Sequence, residues 1–373
     1  MLRVTVYPVA VGNHLSQLFA GLGELAADQR IALRYRPAAD AAVLPRLVYQ
    51  NLWVHLDDGQ TSAYVCFDTS DGPGIRSPDA LDRCDVYIKR SYAADALASH
   101  LSPAQVRKII PMGLNYECAS PRDRHWPARA LAYLRSASVR PRMQSAYTPL
   151  LRDLATRLRI PASITPSTPY YQSYEMPSST NAHDRSSGRV LFLTRVYALQ
   201  GSSDEDSADR RAINATRIAV VRALREAFGD AFAGGVSDTP AARDQCPDCI
   251  ADVATDRRTY TRMLRTADVC VTTAGRLGSN GWKLPEYVAA SRCIVTEPLR
   301  YATPRPLEHG VHLREFTTPQ ECVAHCRELL DDAKAAAAMR QANALYYADH
   351  LRPDRLMASC LERALEVARR PRD

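Results

Sequence analysis

Between residues 160 and 188 the chain reads IPASITPSTPYYQSYEMPSSTNAHDRSSG. Proline, serine and threonine dominate this stretch, and the hydrophobic periodicity found on both sides of it disappears. It therefore reads as a domain linker, within which Tyr170, Tyr171 and Tyr174 can still pack at a domain junction. On each side, short apolar runs alternate with amphipathic stretches. In the first half, RVTVYPVA is strand-like and a small-residue loop, VGNH, follows it. LSQLFAGLGELAA then puts Leu15, Leu18, Phe19, Leu22 and Leu25 on one helical face. Further strands are expected at SAYVCF (62–67), DVYIK (85–89) and KIIPM (108–112), ending in the loops DTSDGPG, RSY and GLNYE.

The second series begins with RVLFLTR, an apolar strand ending in Arg195, followed by an acidic loop, GSSDEDSAD. A helix runs on through Ile213, Val220, Val221, Leu224 and Phe228, and DAFAGGV turns on Gly234 and Gly235. TYTRMLRTADVCVTT is a helix leading into a buried strand, RCIVTE is another strand, and Thr318 with Glu321 forms a capping box for the helix after it. A last helix is expected from Pro353 to about residue 368. Strands alternating with helices predict an α/β fold of two Rossmann-like, doubly wound parallel-sheet domains facing a cleft, with helices at the C-terminus. The expected division is residues 1–160, a linker 161–188, residues 189–345, and a C-terminal segment 346–373 packing back across the domains. A chain of 373 residues suits two domains.

Composition narrows the function classes. A hydrophobic content of 46% and a charged content of 24% are those of an ordinary globular protein. The net charge of +7 reads as spread along the chain, with only ARRPRD at the end forming a short run. Nucleic acid is accordingly not an expected partner, whereas a modest positive excess suits phosphate-bearing small molecules. Most of the ten cysteines sit in apolar runs, as Cys270 and Cys293 do, and read as small buried hydrophobes. Cys246 and Cys249 form the one C-x-x-C, without the second pair or histidines that zinc spacing would need. The N-terminus lacks a leader pattern and no apolar run approaches bilayer length, so a reducing, cytoplasmic location is expected, with peripheral membrane contact left open.

Residues 275–299, GRLGSNGWKLPEYVAASRCIVTEPL, carry the chemistry. Pro285 belongs in the first turn of a helix. That placement predicts free N–H groups from about Ser279 through Asn280, Gly281, Trp282 and Lys283 to Leu284, which with the helix dipole make an anion site. Gly278 and Gly281 let a diphosphate approach the backbone. Lys283 adds a positive charge. Glu286 has two readings: a cap at the helix start, or an acceptor for the two ribose hydroxyls of a nucleotide.

GWKLPEYVAASRCIVTEPL, preceded by ADVCVTT, resembles the donor-binding segment of group 1 glycosyltransferases with the GT-B fold, in the bacterial branch of surface-polysaccharide and spore-coat-maturation enzymes. RVLFLTRVY, DRRAINATRIAVVRALREAFGDAFAGG, FTTPQECV and YYADHLRPD extend the resemblance over the second half, and the first half fits in outline. The resemblance implies diphosphate contacts from Arg195 and Lys283 and a ribose contact from Glu286. Two departures stand out. Many members carry a further glutamate in this segment, whereas Gly278 stands eight positions before Glu286. The lysine usual after the strand-end arginine is also missing, and Arg210 or Arg217, two helical turns apart on one face, are its expected substitutes. The missing glutamate leaves a retaining outcome in doubt. Gly235 is counted with the donor-binding residues.

The implied function is transfer of a sugar from a nucleotide-sugar to a hydroxyl acceptor, whether glycan, lipid-linked or small molecule. The nucleotide-sugar is a substrate, no cofactor is implied, and no Asp-x-Asp pair in a suitable loop asks for a metal. In the first half, His14 and Asp71 are the catalytic candidates, and Asn13, Asp68 and Asn115 are acceptor-side candidates. Helix initiation explains His14 as well, and turn formation explains the aspartates as well. A nucleotide-sugar epimerase of the same shape and a non-catalytic nucleotide-sugar-binding partner are the alternatives. A dinucleotide oxidoreductase is disfavoured, because neither half carries G-x-G-x-x-G after an early strand.

Overall fold

The structure, a computed structural model, describes residues 1–48, 50–136, 138, 148–158, 160, 168–175, 187–199 and 203–371. Most of the linker expected at 161–188 lies outside the described residues. The chain divides into two compact units. The first comprises Met1–Gln172, Tyr301–Arg305 and Asp349–Asp373, and the second Ser173–Arg300 and Pro306–Ala348.

The first unit is built on a six-stranded sheet of β1 (Leu2–Tyr7), β2 (Ile31–Tyr35), β3 (Asn51–Asp57), β4 (Ser62–Asp68), β5 (Val86–Lys89) and β6 (Ile109–Pro111), in the order β2-β1-β3-β4-β5-β6. Pairs β1–β2, β4–β5 and β5–β6 are parallel. Strand β3 runs antiparallel to both neighbours, with Val4 opposite Leu56 and Val54 opposite Val65. The sheet is therefore mostly parallel, as expected, with β3 as an antiparallel insertion. Periodicity missed β3 because NLWVHLD is buried on both faces and does not alternate. A hairpin signal does follow it, since Asp58-Gly59 lies between β3 and β4. There the Asp58 carboxylate accepts from the Gln60 and Thr61 N–H groups at 2.8 and 2.7 Å.

Helix Ser16–Ala27 buries Leu18, Phe19, Leu22 and Leu25 as its periodicity requires, with Leu15 buried just before it. Helix Pro353–Ala368 completes this core, burying Leu356, Met357, Leu361 and Leu365 in the same cluster.

The second unit carries β7 (Val190–Thr194), β8 (Phe232–Val236), β9 (Val269–Thr272), β10 (Cys293–Thr296) and β11 (Arg314–Glu315), ordered β11-β10-β9-β7-β8. Each of its pairings is parallel. Helix Asp204–Phe228 covers it through Val220, Val221 and Leu224. From Asp204 onward the stretch read as an acidic loop is helical. Ser203 caps it, and Asp204, Glu205 and Asp206 complement the positive end of its dipole. Helix Pro319–Asp331 opens on the expected reciprocal capping box of Thr318 and Glu321. The ten cysteines are buried free thiols, and burial pushes Cys249 up to about 11. Among the described residues no helix is long and apolar enough to cross a membrane.

Candidate functional site

In an open parallel sheet, loops leaving the carboxyl ends of the strands form the ligand crevice. In the second unit those loops follow β9 and β10. They enclose a recess of about 230 Å³ whose walls include Thr273, Gly278, Ser279, Asn280, Gly281 and Glu297. Gly278 is favoured there chiefly by its backbone conformation, the exposed Arg300 side chain being able to swing aside. Its φ of +73° is one that side chains rarely adopt, and a Cβ would come 2.4 Å from Arg300 Cδ.

Helix Lys283–Ala289 starts beside this recess with Pro285 in its first turn, as the proline requires. It is a short helix of seven residues. The expected run of free N–H groups is interrupted at both ends: Ser279 N–H donates to the Arg276 carbonyl at 3.0 Å and Leu284 N–H to the Gly281 carbonyl at 3.2 Å. The turn ahead of the helix thus occupies the first and last of these donors itself.

Lys283 supplies positive charge. Its Nζ lies 3.9 Å from the centre of the Tyr260 ring, a cation–π contact. Burial pushes its pKa down to about 8, Glu286 opposing the fall and Arg257 and Arg217 adding to it. Glu286 is neither an exposed cap nor an empty acceptor. Its carboxylate accepts from Tyr260 at 2.6 Å, Arg257 at 2.8 Å and Tyr174 at 3.3 Å. A carboxylate has about four lone-pair sites, so one place is left for a ligand hydroxyl, and a grip on two hydroxyls requires Arg257 to give way. The Arg257 side chain, ion-paired to Glu286, is about one-third exposed. Neither Lys283 nor Glu286 is among the residues that line the recess, whereas their neighbour Leu284 is. Trp282 precedes the helix as its N-cap residue.

The arginines divide. Arg195 is exposed, 5.3 Å from the Tyr197 ring, and pairs with no carboxylate among the described residues. Arg217 and Arg276 flank the same ring at 5.2 and 5.8 Å. Arg217 spends its guanidinium on Thr273 Oγ1 and on the carbonyls of Arg195 and Ala274, so it braces the recess wall instead of reaching into it. Arg210 pairs with Asp206 and the Ala198 carbonyl. Both are committed to the protein and neither stands as a free substitute for the missing lysine. A Cβ at Gly235 would meet the Cys249 carbonyl at 2.7 Å, a packing reason for that glycine.

In the first unit, the loop after β1 brings His14 into the field of Arg90 and Asp71, which pair with each other. Burial and then Arg90 lower the His14 pKa to about 4, Asp71 pulling it partway back. His14 is therefore neutral at pH 7, and a weaker base than an unburied imidazole. Asn115 is buried and donates its amide to the His14 carbonyl and to Gln17 Oε1, both at 3.3 Å, so it fixes the loop. Asp68 is also structural: with no exposure, it accepts from Lys89 Nζ at 3.1 Å and Tyr87 Oη at 2.8 Å, and from Ser70. Asn13 lines an open pocket together with Gly12, Ser16, Asp123, Arg129 and Arg157. Sequence reasoning missed Arg90, Arg257, Tyr260 and Glu297, whose roles depend on long-range contacts that no local pattern announces.

No family model matches the chain, and no curated protein does. Among solved structures it is similar to Anabaena HepE in complex with UDP, at 11% identity over 96% of this chain and 97% of that one, with a TM-score of 0.40. It is similar also to a UDP-N-acetylglucosamine 2-epimerase from Listeria monocytogenes (14% identity, 92% and 70%, TM-score 0.37). A third is the C-terminal domain of the group 1 glycosyl transferase LpcC from Francisella tularensis (11% identity, 48% and 95%, TM-score 0.35). Scores of this size leave the chain's own residues as the basis for any reading of function.

Proposed function

We propose that the protein is a glycosyltransferase, with the second unit holding a nucleotide-sugar and the first supplying the base. One observation carries the reading: the cations around the Gly278–Gly281 turn outnumber the carboxylates. Six cations, Lys283, Arg195, Arg210, Arg217, Arg257 and Arg276, stand against four carboxylates, Glu286, Glu297, Asp206 and Asp209, which leaves an excess of positive charge beside a recess whose wall includes Gly278 and Gly281. A diphosphate supplies the missing negative charge, and Glu286 takes a ribose hydroxyl.

In the reaction, the bond from the anomeric carbon to the diphosphate oxygen breaks, and the acceptor oxygen bonds to that carbon. The acceptor proton passes to neutral His14, and the leaving diphosphate is stabilised by Lys283 and Arg195. Incubation with a panel of nucleotide-sugars tests this. Release of nucleoside diphosphate from one of them, dependent on Lys283, is the expected result; no release or binding with any donor overturns the reading.

Lys283 also sets a pH limit. Its lowered pKa means that the ligand-free protein loses this charge as pH rises through about 8, so donor affinity declines above that value. Stability moves the other way. The folded state binds this proton less tightly than the unfolded chain, so the penalty of the buried ammonium is relieved from about pH 8 upward. Lys283→Met accordingly raises the melting temperature at pH 7 while weakening donor binding, and parallel thermal and binding titrations check both signs.

A further inference from the structure

The net charge is not spread along the chain. Residues 121–160 contain nine arginines against two aspartates, a net of +7, equal to the +7 of the whole chain, so the remainder is neutral. Three of the nine, Arg140, Arg142 and Arg159, lie outside the described residues. The same segment holds helices Trp126–Arg135 and Thr148–Arg157. Their inner faces are tied by Arg129, which reaches Asp123 at 2.6 Å and Asp153 at 2.7 Å.

The outer faces are apolar. Leu131 is 50% exposed, Leu134 44%, Leu151 54%, Leu154 39% and Leu158, just past the second helix, 63%. These are five of the nine large hydrophobics exposed among the described residues. Spacings of three and four place Leu151, Leu154 and Leu158 on one stripe, and Leu131 with Leu134 on another. Arg124 and Arg135 flank them, exposed and outside any ion pair among the described residues.

We propose that this face docks on an anionic lipid bilayer. Leucines on one side of a helix, bordered by arginines and poor in acidic residues, have the composition of an interfacial element: the apolar side chains enter the headgroup boundary and the guanidiniums meet lipid phosphates. A protein partner would be met by a neutral apolar patch with a polar rim, whereas here the exposed arginines Arg124 and Arg135 accompany the leucines without a carboxylate partner among the described residues.

Vesicle flotation of the full chain tests the proposal, using neutral phosphatidylcholine vesicles and vesicles that also contain phosphatidylserine. The expected result is binding to the anionic vesicles alone, weakened by salt. Leu151→Ser/Leu154→Ser/Leu158→Ser and Arg124→Glu/Arg135→Glu should each weaken binding by about tenfold or more. The altered side chains are exposed, so circular dichroism and melting should match wild type. Absence of binding to anionic vesicles overturns the proposal. So does binding indifferent to the leucine changes and displaced by an oligonucleotide, which would mark a nucleic-acid surface. Self-association that the leucine changes abolish, without vesicle binding, would mark an interface between copies and overturn it equally.

Discussion

Lys89→Met lowers the stability of the first unit by about 3–5 kcal/mol, the cost of leaving a buried charge without its partner. Lys89 and Asp68 have no solvent exposure, and their charged atoms stand 3.1 Å apart at the ends of β5 and β4. Removal of the ammonium leaves the Asp68 carboxylate to Ser70 and Tyr87, which are neutral donors. The double change Lys89→Met/Asp68→Asn carries no buried charge and should recover much of the loss. Burial pushes the Asp68 carboxyl up, but Lys89, Ser70 and Tyr87 outweigh it and hold it below the ordinary range. Its contribution is therefore present above about pH 4 and is lost as pH falls through the lowered value. Denaturation followed by amide exchange in β4 and β5 measures these effects where they occur. A loss below about 1 kcal/mol, the scale of an exposed pair, would show that the pair is not shielded from water.

The second large effect concerns His14. Once the donor and acceptor are known, His14→Ala is expected to lower kcat by about 10²–10⁴-fold, the usual contribution of a positioned general base, with donor affinity little changed. The acid limb of the wild-type profile should fall near pH 4, because burial and Arg90 keep the imidazole neutral above that value. Activity within a few-fold of wild type in His14→Ala would assign the base elsewhere.

The strands and helices with a clean period were legible in the sequence. The Leu15–Leu25 face, the Thr318 capping box and the Pro353 helix start were all visible, because each depends on neighbours a few positions away. Strand β3 was not, since burial on both faces erases alternation. The stretch from Gly278 to Glu286 was legible as a unit, but the three donors already on the Glu286 carboxylate were not. Tyr174 and Tyr260 are 112 and 26 positions from it in sequence, and only tertiary packing brings them to its carboxylate. Arg217 illustrates the same limit: a helical arginine at a useful spacing turned out to be a brace for the loop after β9. The excess of arginine in residues 121–160 is a property of the sequence, whereas the outward-facing leucines of the two helices are a property of the fold alone.

Isothermal titration of a nucleotide-sugar panel into the wild-type chain, Lys283→Met and Glu286→Gln is the most direct test of the central claim. The account predicts that one donor binds the wild type, that Lys283→Met weakens it by about tenfold or more, and that Glu286→Gln weakens binding of the nucleotide more than of inorganic diphosphate. If a donor binds and both variants bind it as tightly as wild type, the Gly278–Glu286 stretch is a structural element and the donor site lies elsewhere in the chain.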